Sequence, residues 1–83
     1  MDVSTPEDKA AFNGAVALVL MLRRAELAMT LPAVAEASGI TVVSTQRFLR
    51  GDREINMGNF VALAHALDLD PADVLDAAGR QLD

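Results

Sequence analysis

Three arginines, Arg47, Arg50 and Arg53, recur at three-residue intervals, and Gln46 stands immediately before the first of them. A guanidinium is matched in shape to phosphate oxygens, and a glutamine carboxamide to the paired donor and acceptor of an adenine edge. Thr41 and Thr45 add hydroxyls to the same stretch, and Val42 and Val43 add methyl groups. Between Ser38 and Arg53 only Asp52 opposes the three arginines, so this segment is cationic inside a chain of net charge −5. The overall negative charge argues against a nonspecific nucleic-acid coat. The acids gather in the tail instead, where Asp68, Asp70, Asp73, Asp76 and Asp83 face only Arg80.

Other chemistries find little support. The chain has no cysteine, which removes disulfides, thiolate metal sites and a cysteine nucleophile, and fits a reducing cytoplasm. His65 is the only histidine and has no partner ligand near it in the sequence. The tail aspartates lack the central glycine and closing glutamate of a calcium loop, and Pro71 opens a helix among them. No serine, histidine and acid combination reads as catalytic, and no glycine-rich phosphate loop is present. Phe12, Phe48 and Phe60 are the only aromatics, at positions where helical core is expected, so no stacking platform for single strands is expected. The reading is a non-enzymatic protein without cofactor, metal or small-molecule ligand. The most apolar run, residues 15–22, is too short to span a membrane and is closed by Arg23 and Arg24. The acidic opening, residues 1–8, is unlike a secretory signal. A soluble, cytoplasmic protein that engages no membrane is expected.

At 83 residues the chain is long enough for one domain, expected over residues 1–83. Start and stop signals place five helices at about 6–28, 31–38, 42–50, 57–67 and 71–78. Ser4 or Thr5 caps the first, with Pro6, Glu7 and Asp8 in its opening turn. Thr30 caps the second, Thr41 the third, Asn56 the fourth, and Asp70 precedes Pro71 at the fifth. Gly39, Gly51 and Gly79 stand where helices two, three and five are expected to end. Val16, Leu20 and Leu27 form a buried stripe of helix one, and Met57, Phe60, Val61, Ala64 and Leu67 one of helix four. Val74 and Leu75 close the core. No segment alternates with period two, so the fold class is all-α.

Two features of this arrangement point outward. Helices two and three are joined by Ser38-Gly39-Ile40, a turn whose glycine permits a sharp reversal and whose isoleucine fills the angle, and small Ala35 allows the third helix to approach closely. On helix one, Ala11, Ala15, Leu18, Leu22 and Ala25 lie away from the Val16–Leu20 stripe and are themselves apolar. A bundle this small should not expose such a face. A homodimer formed through Leu18 and Leu22, aided by the tail beyond Gly79, is therefore expected.

From Leu20 to Leu75 the chain resembles the lambda-repressor/Cro-type (XRE-like) helix-turn-helix family. The matched features are Arg24 on helix one, Thr30 with Val34-Ala35, Gly39-Ile40 at the turn, Arg50-Gly51 at the end of helix three, and the Met57, Leu63-Ala64, Ala66-Leu67 rhythm that follows. The chain departs from the family at Leu31, where a polar residue is common, at Val42 and Val43, at Leu49, where an acid often pairs with the helix-one arginine, and at Ile55. The resemblance implies a compact five-helix bundle whose third helix enters the major groove of double-stranded DNA. It implies base contacts by Val42, Val43, Thr45 and Gln46, the valines against thymine methyls. Thr30, Thr41, Arg47, Arg50 and Arg53 would contact phosphate, aided by free amides at the starts of helices two and three. The function implied is a repressor or Cro-like transcriptional regulator of phage or mobile-element type. Rival readings are an interaction module of the same fold that has given up DNA, as an antirepressor or adaptor, and an antitoxin-like partner.

Overall fold

Each helix begins at a residue whose side-chain oxygen accepts a hydrogen bond from the helix's own first turn. The computed structural model describes residues 3–83, and the first two residues of the domain expected over residues 1–83 lie outside the described ones. Five helices are present: α1 Pro6–Glu26, α2 Leu31–Ser38, α3 Val42–Leu49, α4 Met57–Ala66 and α5 Pro71–Leu82. Their caps are Thr5, Thr30, Thr41, Asn56 and Asp70. At Thr5 the bond is reciprocal, because the Asp8 carboxylate accepts the Thr5 N–H while the Thr5 hydroxyl accepts the Asp8 N–H. Such a capping box satisfies two otherwise orphaned donors.

The described residues contain helices and turns but no strand. α5 packs along α1, α2 packs on α3 and α4, and α1 and α5 complete the bundle against α3 and α4. The core where they meet holds Leu20, Val34, Phe48, Phe60, Leu63, Leu67 and Val74. The radius of gyration is 12.0 Å, matching the value of about 12 Å expected for one compact domain of this length. Arg23 and Arg24 serve the packing rather than the surface. The Arg23 Nε–H donates to the Leu67 carbonyl at the end of α4, at 3.1 Å. Arg24, which Leu49 leaves without an acidic partner, donates to the Met29 carbonyl at 2.8 Å and so closes the α1–α2 turn.

Several expectations require correction. α1 stops at Glu26 rather than continuing to residue 28, because Ala28 adopts a left-handed φ of 54°. Leu27 consequently falls beyond the helix and is exposed rather than buried. Ala15 was expected on the outer face but is buried, on the helix that α5 covers. α5 runs through Gly79 to Leu82. Its packing on α1 outweighs the cost, roughly 1 kcal/mol, of a glycine inside a helix. Leu75 and Met57, expected in the core, are exposed, Met57 at 71%. The turn before α5 instead relies on Asp68, whose φ is 56°.

Candidate nucleic-acid interface

The α2–α3 turn sets the geometry of the candidate site. Gly39 has φ 73° and ψ 19°, and its N–H and that of Ile40 both point back to the last turn of α2. A left-handed residue here costs glycine nothing, whereas a Cβ would be strained. The chain therefore reverses within Gly39-Ile40, and half-buried Ile40 seats the angle against the core. Thr41 then restarts the helix by accepting the Ser44 N–H at 3.1 Å.

α3 is divided lengthwise. Thr45, Phe48 and Leu49 are buried, and Phe48 and Leu49 belong to the core cluster. Val42, Val43, Gln46, Arg47 and Arg50 are exposed, Val43 at 59%. The outer face thus presents two aliphatic side chains at the entry turn, then a carboxamide and two guanidinium groups. Thr45 does not belong to it. With 0% exposure it has no route to a base, because it lies on the side of α3 that faces the bundle. Thr30 and Thr41 are exposed caps. Their oxygens accept from the backbone, while each hydroxyl proton can still be donated to an anion. The amide supply differs between the two helices by one group: Ala33 and Val34 donate to Thr30 as Ser44 and Thr45 donate to Thr41, but Pro32 lacks the N–H that Val43 has at the same position.

The loop after α3 is tied to it. Gly51 reverses the chain with φ 77°, and a Cβ at this position would lie 3.8 Å from Gly14 Cα and Ala17 Cβ of α1. Arg50 pairs with Asp52 at 3.6 Å. Arg53 reaches back to α3, where its guanidinium donates to Ser44 Oγ at 3.2 Å and lies 5.6 Å from the Phe48 ring centroid. Arg47 and Arg50 thus stand in the exposed row of α3 and its C-cap, while Arg53 is exposed in the loop and tied to α3 through Ser44 and Phe48. Two contributors escaped the sequence reading. Ser44 carries no local signal that marks it as the partner of Arg53. Asn13 lies on α1 yet bonds to the loop backbone at Arg53 and Ile55, a relation 40 and more positions long.

Elsewhere the candidates stay apart. His65 is exposed on α4, and among the described residues no group of three His, Cys, Asp or Glu is placed to hold a metal ion. Asp70 caps α5, and Asp76 pairs with Arg80 one turn on. Among the described residues no helix is long and apolar enough to cross a membrane.

A short exposed helix braced by a second one behind a glycine turn, inside a five-helix bundle, defines a helix-turn-helix protein. Residues 20–74 match the family model described as helix-turn-helix, and the chain belongs to that family. Two crystal structures of the clp gene regulator ClgR from Corynebacterium glutamicum are similar to it. One is 29% identical, with 87% of this chain and 94% of that chain covered and a TM-score of 0.79. The other is 30% identical, with coverages of 86% and 76% and the same TM-score of 0.79. No curated protein matches the chain. The family resemblance inferred from Leu20 to Leu75 is thus established over nearly the same span.

Proposed function

We propose that this chain is a DNA-binding transcriptional regulator that occupies an operator with α3 in the major groove. The observation that carries this reading is the exposed row Val42, Val43, Gln46 and Arg47 on a helix whose opposite side is locked into the core. A rigid reader loses little conformational entropy when it docks. Val42 and Val43 then meet thymine methyls, and Gln46 reads a base edge. Thr30, Thr41, Arg47, Arg50 and Arg53 hold phosphates and set the register. The helix-turn-helix family and the gene-regulator description of the two similar structures support this assignment. Action as a Cro-like repressor of phage or mobile-element type, in the cytoplasm, completes the proposal.

Two copies would act together through α1. Leu18, Met21 and Leu22 are exposed, Leu22 at 51%, on a helix that carries no charged residue from Ala10 to Leu22. A twofold pair formed there would present two α3 helices to half-sites about one DNA turn apart.

A salt-titrated gel shift on the DNA upstream of the chain's own gene tests the assignment. A complex that weakens steeply with salt, and whose salt slope falls by about 0.9 on Arg47→Ala, supports it. A second reading, a protein-interaction module, is favoured by the exposed valine pair. It would gain if no duplex complex formed even at low salt.

A further inference from the structure

Arg53 stands in the loop between α3 and α4, yet it is held on two sides. Its guanidinium donates to Ser44 Oγ at 3.2 Å and lies over the Phe48 ring at 5.6 Å. Both partners belong to α3, so the side chain is laid along the reading helix. The backbone beneath it is held from behind. Asn13, half-buried on α1, donates its Nδ2–H to the Arg53 carbonyl at 3.2 Å and accepts the Ile55 N–H on Oδ1 at 2.9 Å. One carboxamide bridges two loop groups of opposite hydrogen-bonding sense, which requires a donor and an acceptor in the same side chain. The family match begins at Leu20, so this tie issues from a part of α1 that lies before the matched span.

We propose that Asn13 is a positioning residue for DNA binding, fixing the Arg53 backbone so that the guanidinium meets a phosphate beside the groove that α3 enters. The inference rests on the DNA-binding reading above. An arginine on a loose loop must be ordered when it binds, and that ordering opposes association. Asn13 orders the loop in advance. Without it the Arg53 carbonyl and the Ile55 N–H lose their partner together. The contacts to Ser44 and Phe48 must then locate the guanidinium unaided, from a backbone that has been released.

The test is fluorescence anisotropy with a mixed-sequence duplex of about 24 base pairs, titrated from about 50 to about 200 mM KCl. Wild type, Asn13→Ala, Arg53→Ala and the double variant are compared. Removing one phosphate contact lowers the slope of log affinity against log salt by about 0.9, so the affinity lost over this fourfold salt range becomes about threefold smaller. Asn13→Ala is expected to show that change, Arg53→Ala the same change, and the double variant no more than either. Amide hydrogen exchange should report lost protection at Ile55 in Asn13→Ala. A purely structural Asn13 would lower the melting temperature and leave the slope alone. Should Asn13→Ala not fold, Asn13→Ser carries the same comparison, since its short hydroxyl does not span both backbone groups. A wild type with steep salt dependence beside an unchanged slope in the Asn13 variant overturns this inference alone. A wild type that forms no salt-dependent complex with this duplex or with the DNA upstream of its own gene overturns it together with the DNA-binding reading.

Discussion

Thr45 and Gln46 are neighbours in the chain and opposites in space: Thr45 is 0% exposed, and Gln46 is open to solvent. The α-helix turns by about 100° per residue, so two adjacent positions on α3 divide between the bundle and the outside. This division separates what braces α3 against the bundle from what α3 presents to solvent.

Among the described residues the Thr45 hydroxyl is buried without a hydrogen-bond partner. A buried polar group left unpaired costs about 1–3 kcal/mol. Thr45→Val keeps the branched shape and removes the hydroxyl, so it should stabilise the fold by about 1 kcal/mol. Thermal denaturation should show a melting temperature raised by several degrees, with duplex affinity unchanged. A lower melting temperature would contradict the buried, unpaired assignment.

Gln46→Ala tests the outer side. The truncation removes no core contact, so stability should stay within about 0.5 kcal/mol of wild type. On a duplex that the wild type selects from a random pool, the variant should lose about 1–3 kcal/mol of discrimination at one base pair. Uniform weakening across all sequences would instead assign Gln46 to the phosphates.

At the turn, Gly39→Ala meets no neighbouring atom within 4 Å, but the backbone stands at φ 73°. The expected cost is therefore conformational, on the order of 1 kcal/mol. Chemical denaturation should register it as a lower midpoint at unchanged slope. Equal stability would show that the α2–α3 reversal does not depend on a left-handed residue.

The proposed pairing through α1 has its own measurement. Light scattering on the wild type should give twice the chain mass, and Leu18→Asp/Leu22→Asp should give the single chain. Both positions are exposed, so the double variant should keep its helical content. A monomeric wild type at high micromolar concentration would remove the α1 surface from the proposal.

Much of the architecture was readable along the chain. Thr30, Thr41, Asn56 and Asp70 announced four helix starts, because a capping bond closes over two or three residues and needs nothing distant. Gly39 announced the turn for the same reason. The row on α3 came from the family resemblance instead, and it placed Thr45 beside Val42, Val43 and Gln46, although Thr45 is buried. The misreadings share another cause. Leu27 and Leu75 are as apolar as Leu20, and Gly79 resembles a stop as much as Gly51 does. Where α5 lies on α1, and where Ala28 turns the chain, decided which of them were buried, exposed or carried through a helix.

Local hydrogen bonding and side-chain periodicity were thus determined by the sequence itself, since both act within a few residues. Thr45's withdrawal into the core, Arg53's attachment to Ser44 and Asn13's hold on the loop were decided by tertiary structure alone. They depend on how separate helices cross, and a crossing is set by the summed packing of many side chains rather than by any one residue's neighbours.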